Sequence, residues 1–228
     1  MVKVVIVGAG LGGLTAAALL AKAGHDVTVL EKNSWIGGKS RRIEVAGQRI
    51  DTGPSLVTFP AVLDELYSRY DNLGSASQAA AIADLKLERL PEVGKYYFRD
   101  QVVNLPVEPS HPWHEAWARF DREHGHLGPQ IVKLLTADPF DAKTLPAVTA
   151  ITKNYGVRLS TSAYLNGLKW MPEGLREVIA IHTLNAGIAP QRTLALYATM
   201  PAVMAKDGIF VPNGGVYEIA LALGRLAS

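Results

Sequence analysis

Two kinds of apolar stretch alternate at the start of the chain. Val2–Val7 is a short run of valine and isoleucine closed by Gly8, the pattern of a buried strand. Leu11–Ala23 is rich in alanine and leucine, which propagate helix well, and it stops at Gly24, a residue suited to a helix C-terminus. Val27–Leu30 reads as a second strand. Strand, helix and strand in that order predict two parallel strands joined by a right-handed crossover.

Farther along, the period changes. Arg42–Val45 and Gln48–Ile50 flank Ala46-Gly47, which predicts a hairpin. Pro60 opens a helix expected to reach Tyr70, and the small, polar stretch Gly74–Ala83 reads as a loop. Leu85–Leu90, Lys95–Phe98 and Gln101–Leu105 look like short antiparallel strands separated by Pro91-Glu92 and Arg99-Asp100. After Ser110 the pattern is helical. Pro112 suits the first turn of a helix running to about Glu123, and more helices are expected over Gln130–Thr136, Gly174–Asn185 and Thr193–Met204. Near the end, Asn213 is placed to cap a helix whose apolar stripe is Val216, Ile219, Ala220, Leu223 and Leu226. No strand follows that stripe before Ser228, so the helix is expected to need a further partner. The fold class is therefore α/β. A partial Rossmann β-α-β domain is expected from residues 1–75 and 206–228, with a mostly helical insertion carrying a few antiparallel strands over 76–205.

Composition removes several classes of function. At 228 residues with 48% hydrophobic and 19% charged side chains, the chain is long enough for a real core and is not disordered. A net charge of +2 with no dense Lys/Arg block gives no stripe for tracking phosphates, so no nucleic-acid partner is expected. The absence of cysteine excludes disulfides, thiolate catalysis and Cys-ligated metals, and it fits a reducing, cytoplasmic location. Val4–Ala21 is uncharged and long enough to suggest a membrane span, but glycines at 8, 10, 12 and 13 would break a spanning helix. His111, His114, His124 and His126 show no H-E-x-x-H spacing. They read as solvated ends of one helix, and no metal is expected. Arg41 and Arg42 could approach a phosphate, but two arginines at the start of a strand read rather as solvated. Trp113, Trp117 and Phe120 share a helical face, which suits ordinary packing or, alternatively, an apolar tunnel lining or a membrane-interface anchor. Trp170 and Met171 carry the same two readings.

One motif carries chemistry. Gly8-Ala9-Gly10-Leu11-Gly12-Gly13 matches G-x-G-x-x-G between the first strand and the helix. Gly8 permits the tight turn, Gly10 lets the backbone approach a pyrophosphate, and Gly13 lets helix and sheet pack closely. The helix N-terminus offers unpaired N–H groups and a positive dipole end to phosphate. Glu31 ends the second strand, about twenty residues on, where a ribose-binding carboxylate belongs. Its charge disfavours a 2′-phosphate but leaves NAD and FAD both open. Gly37-Gly38-Lys39 then pairs two glycines with a basic residue, a segment able to bring backbone close to a second stretch of cofactor.

Together with Ile50-Asp51-Thr52-Gly53-Pro54-Ser55, these segments resemble the N-terminus of the phytoene desaturase family, the FAD-dependent carotenoid desaturases within the amine-oxidase-like flavoproteins. Gly208–Tyr217, with Pro212-Asn213-Gly214-Gly215, resembles the mid-chain segment where such proteins return from their substrate domain. The resemblance implies FAD as cofactor. Gly8, Gly10, Leu11, Gly12, Gly13, Glu31 and Lys32 would hold its ADP half, Gly38 and Lys39 would lie near the pyrophosphate, and Gly53, Pro54 and Ser55 near the flavin ring. It also implies a lipophilic substrate, a carotenoid or similar isoprenoid, oxidised by hydride loss to flavin, with peripheral membrane contact. Cofactor chemistry of this kind needs no Ser-His-Asp or Cys-His set, and no general base is assigned. Full family members are longer; their C-terminal half adds sheet strands, a second FAD-contacting segment and part of the substrate tunnel. Two alternatives therefore stand beside a desaturase: an FAD-binding half that needs a partner chain, and an amine-oxidase-type flavoenzyme.

Overall fold

A computed structural model describes residues 1–74, 78–138 and 140–228. Along the chain run β1 (Lys3–Val7), α1 (Leu11–Lys22), β2 (Asp26–Leu30), β3 (Arg42–Val45), β4 (Gln48–Asp51), α2 (Ala61–Asn72), α3 (Ala79–Ala83) and β5 (Leu87–Arg89). There follow β6 (Gly94–Phe98), β7 (Gln101–Leu105), α4 (His114–His124), α5 (Gly128–Thr136), α6 (Leu145–Lys153), α7 (Thr161–Gly167) and α8 (Glu173–Ala180). The chain finishes with α9 (Met200–Asp207), β8 (Phe210–Pro212) and α10 (Tyr217–Ala227). Two compact units result, Met1–Arg89 with Phe210–Ser228, and Leu90–Ile209.

In the first unit β1 and β2 are parallel, in register from Lys3↔Asp26 to Val7↔Leu30, with α1 as the crossover. Leu14 and Ala18 of α1 are buried in one cluster with Ala220, Leu223 and Leu226 of α10, and with Leu66, Tyr70, Ala79 and Ala83. Alanines at these positions let the helices approach closely, while burying Leu223 and Leu226 contributes about 1.5–3 kcal/mol each. The opposite face of the sheet is open: Val5, Val7 and Leu30 are 62%, 85% and 54% exposed. The first strand is thus covered on one side only, not buried as its composition suggests. Two further pairings complete the unit. β3 and β4 form the expected hairpin, with Ala46 and Gly47 both at positive φ. β5 pairs with β8, joining the two stretches of chain that flank the second unit.

Several sequence expectations change here. Within Gly74–Ala83, residues 79–83 are helical, because Ala79 and Ala83 fill the core against α10; residues 75–77 lie outside the described residues. Within residues 85–90 only Leu87–Arg89 form a strand, β5, antiparallel as expected but paired with β8, a partner too distant in sequence to foresee. Asn213 is no cap, since α10 begins after Val216. The stripe on α10 is not left unpartnered, because α1 and α3 cover it.

The second unit holds the antiparallel pair β6–β7, turning at Arg99, and helices α4 to α9. Trp117, Phe120, Leu175, Ile179 and Val203 are fully buried or nearly so. Helix α4 therefore packs with Trp117 and Phe120 inward, which excludes both as tunnel or membrane-interface groups. Helices α6 and α7 were not foreseen, and Thr193–Met204 divides into a short 3-10 turn and the start of α9.

His124 is not solvated either. It is completely buried: its Nδ1–H donates to the Phe120 carbonyl at 2.9 Å, so neutral Nε2 accepts from the Tyr164 hydroxyl at 2.8 Å. Burial lowers its pKa, consistent with the neutral ring that this bonding requires.

Candidate cofactor site

The glycine turn between β1 and α1 is built almost entirely of main chain. Gly8 takes φ +100°, a conformation L side chains rarely adopt, and its N–H donates to the Leu30 carbonyl at 2.7 Å, tying the turn to the end of β2. A Cβ on Gly13 would lie 2.0 Å from the Gly8 carbonyl oxygen, so only glycine allows this approach of helix and turn. Helix α1 carries no acidic residue in its first turn and no side-chain cap. No side chain of the helix therefore neutralises its first N–H groups or its positive end.

A second segment meets this turn. The Gly37 N–H donates to the Ala9 carbonyl at 2.6 Å, and Gly10 and Gly37 form a parallel bridge. A Cβ on Gly38 would stand 3.1 Å from the Gly10 Cα, so the two backbones face each other with no side chain between them. Gly37 is held from behind: a Cβ there would meet Ala220 at 2.9 Å and the Tyr217 ring at 3.3 Å.

Glu31 closes the arrangement. Its Oε2 accepts from the Ala9 N–H at 2.8 Å, and its Oε1 accepts from the Asn33 N–H at 2.9 Å and from Asn33 Nδ2 at 2.7 Å. The Asn33 and Ala9 N–H groups hold its pKa below the ordinary carboxylate value. Three of roughly four lone-pair sites are thus in use, leaving room for one more donor without rearrangement.

The structure gathers Gly8, Gly10, Gly13, Glu31 and Gly38 around one turn. Leu11 contributes only backbone, because its side chain packs into the helical core. Gly12 faces open space, and the side chains of Lys32 and Lys39 are exposed. Gly53 lies against the other end of the second segment, where its Cβ would be 2.1 Å from the Lys39 carbonyl oxygen; Pro54 and Ser55 beside it are exposed.

Residues overlooked in the sequence hold these segments together. Arg42 is not solvated: its Nε donates to Asp51 Oδ1 and its Nη1 to Glu218 Oε1, both at 2.8 Å, and its Nη2 to the Gly214 carbonyl. Asp51 Oδ2 also accepts from the Tyr217 N–H at 3.1 Å. Burial pushes the Asp51 pKa up, but the bonds from Arg42 and Tyr217 outweigh it and hold the carboxyl low. This clip fixes the hairpin, and hence the approach to Gly53, onto the start of α10. Arg41 stacks on Trp35, 4.2 Å from the ring centre.

A main-chain cradle at a helix N-terminus with a carboxylate at the end of the second strand fits a dinucleotide. Among the described residues no group of three or more His, Cys, Asp or Glu side chains could hold a metal ion, and no helix is long and apolar enough to cross a membrane.

The first unit has a Rossmann-like fold, and the family model described as an NAD(P)-binding Rossmann-like domain matches residues 6–71. Curated relatives extend the likeness along the whole chain. The zeta-carotene-forming phytoene desaturase of Myxococcus xanthus is 28% identical over 241 residues, covering 99% of this chain and 45% of that protein. The 4,4'-diapophytoene desaturase of Staphylococcus aureus (strain MRSA252) is 25% identical, covering 98% and 46%. Among solved structures, putrescine oxidase bound to putrescine covers 100% of this chain and 50% of its own at 19% identity and a TM-score of 0.64. Cyclohexylamine oxidase from Brevibacterium oxydans IH-35A covers 99% and 49% at 17% identity and a TM-score of 0.61. The chain is thus similar in sequence to carotenoid desaturases and shares the fold of these oxidases. It spans about half the length of the curated relatives it matches.

Proposed function

We propose that this chain binds FAD and forms the cofactor-holding part of an oxidoreductase that removes hydride from a carotenoid or similar isoprenoid. The observation that carries the reading is the meeting of the Gly8–Gly13 turn, the Gly37-Gly38 backbone and Glu31 in one cradle. The N-terminus of α1 would take the pyrophosphate, and the side-chain-free surface between Gly10 and Gly38 would let it come close. Glu31 would use its remaining acceptor site on a ribose hydroxyl, while its bonds to Ala9 and Asn33 hold it in place. Lys32 and Lys39 lie at the edge of the cradle, and Gly53, Pro54 and Ser55 would lie toward the ring of the flavin. Bound FAD supplies the hydride acceptor, and the chain's own part is positioning and the exclusion of water. The substrate side is assigned to the second unit, whose apolar surface suits a hydrocarbon better than a polar substrate. The curated relatives named above, desaturases of phytoene and diapophytoene, support that class of substrate.

A second reading, an FAD-binding half-protein that acts only with a partner chain, draws on the open face of β1 and β2. Both readings require flavin. The test is the absorbance spectrum of the purified chain after incubation with FAD and desalting, followed by assay of flavin-containing samples on carotenoids in liposomes. Retained flavin bands support the assignment. Retention of NAD in preference to FAD defeats it.

A further inference from the structure

Beyond the glycine turn the chain carries two diglycines, Gly37-Gly38 in the cradle and Gly214-Gly215 ahead of α10. The cofactor reading accounts for the first and leaves the second without a role. All four residues take positive φ, 98° and 62° in the first pair, 93° and 98° in the second. Such backbone suits glycine, and glycine loses more conformational freedom than any other residue when it is fixed. Each pair therefore depends on support from outside itself.

Gly37-Gly38 is held on one side by the glycine turn, through the Gly37 N–H to the Ala9 carbonyl at 2.6 Å. Its own turn adds a bond from the Ser40 N–H to the Gly37 carbonyl at 3.0 Å. On the other side stand the Ala220 methyl group and the Tyr217 ring, the ring 3.3 Å from where a Gly37 Cβ would lie. The ring thus blocks the retreat of Gly37 from the turn.

Tyr217 is itself fixed. Its N–H donates to Asp51 Oδ2 at 3.1 Å, and the Arg42 guanidinium lies over its ring, 5.1 Å from the centre. Arg42 in turn is forked between Asp51, Glu218 and the Gly214 carbonyl. A Cβ on Gly215 would collide with the Asp51 carboxylate, so the second diglycine lets the chain pass this clip and start α10 with Tyr217 in place. One guanidinium facing two carboxylates is no spare cation for a phosphate. Any effect of Arg42 on a cofactor is therefore indirect.

We infer that Tyr217, gripped by Arg42, Asp51 and Glu218, is a positioning residue that holds Gly37-Gly38 against the glycine turn. It keeps Gly38 facing Gly10, the surface assigned above to the pyrophosphate. This rests on the flavoprotein reading and adds to it the residue that sets its site.

The test compares the wild type with Tyr217→Ala, Tyr217→Phe and Leu66→Ala. The first removes the ring but keeps the N–H that Asp51 accepts, and the second keeps the ring. The third loosens the same core from α2. Two quantities are read on each: the FAD dissociation constant by calorimetric titration, and amide exchange at Gly37 and Ser40 without cofactor. Tyr217→Ala should bind FAD roughly tenfold more weakly, the cost of ordering one freed glycine, and should exchange both amides on the order of tenfold faster. Tyr217→Phe should match the wild type in both. Leu66→Ala should melt at a lower temperature and bind FAD as the wild type does. A merely structural tyrosine would behave like Leu66, so unchanged affinity or unchanged exchange in Tyr217→Ala overturns the inference. An equal loss of affinity in Tyr217→Phe or Leu66→Ala overturns it too. If Tyr217→Ala does not fold, Arg42→Lys, which keeps the charge but not the fork, should shift both quantities the same way, and no shift there is equally fatal. A wild type that takes up no FAD defeats the flavin reading, and the exchange rates alone then decide the positioning.

Discussion

Replacing Gly10 with alanine separates cofactor binding from folding. Gly10 sits at φ −70° and ψ 173°, which alanine adopts freely. Its Cβ would meet only the Gly38 Cα, at 4.0 Å, an ordinary contact. Reduced freedom in the unfolded chain favours the substitution by about 0.4–1 kcal/mol, and the poorer N-cap residue offsets roughly half a kcal/mol of that. Stability should therefore stay within about 0.5 kcal/mol, or roughly 2 °C in melting temperature for a chain of this size. Binding should respond differently. The new methyl group occupies the surface the pyrophosphate must approach, and overpacking of one such group costs about 1–3 kcal/mol. That corresponds to roughly 5- to 150-fold weaker FAD binding. Calorimetric titration with FAD, alongside thermal melts of both proteins, measures the two effects independently. Unchanged affinity with an unchanged melting temperature would refute the placement of the pyrophosphate at Gly10.

Other perturbations have distinct signatures. Gly13→Ala drives a Cβ to 2.0 Å from the Gly8 carbonyl oxygen, backbone that cannot swing aside, and should cost about 1–3 kcal/mol of stability in a urea melt. Arg42→Met strands two carboxylates whose side chains are only 19% and 22% exposed; a loss of about 2–4 kcal/mol is expected, below the value for a fully buried pair. His182, bonded through Nε2 to the Tyr96 hydroxyl at 2.9 Å, has its pKa lowered by burial to about 4. Below its ordinary value of about 6.5 the unfolded chain gains a proton that the folded chain refuses. Stability should therefore be full above pH 6.5 and decline toward pH 4, by about 3 kcal/mol from this group. Urea melts between pH 7 and 5 should show that slope, reduced in His182→Leu.

The turn itself was readable because its physics is local. Gly8, Gly10 and Gly13 are required by a strand, a turn and a helix that follow one another directly, from Lys3 to Lys22, and Glu31 by a crossover of fixed length. The hairpin register was equally accessible. A two-residue turn at Ala46-Gly47 sets Arg42 opposite Asp51, and opposite charges facing across a pair of strands are a recognisable signal. Reading Arg42 as solvated overlooked it. Glu218, 176 residues away, was beyond any such argument, as was the pairing of β5 with β8. Burial also misled where composition stood in for position. His124 looked like a solvated helix end but lies in the core because Tyr164 and the Phe120 carbonyl satisfy both its ring nitrogens. The valines of β1 looked buried, yet one face of the strand is open.

The central claim, that the Gly8–Gly13 turn and Glu31 form an FAD cradle, is tested most directly by titrating FAD into the purified chain with ADP as competitor. Saturable FAD binding that ADP displaces, weakened in Gly10→Ala, is the predicted result. FAD binding that ADP leaves untouched would place the cofactor elsewhere and contradict the account.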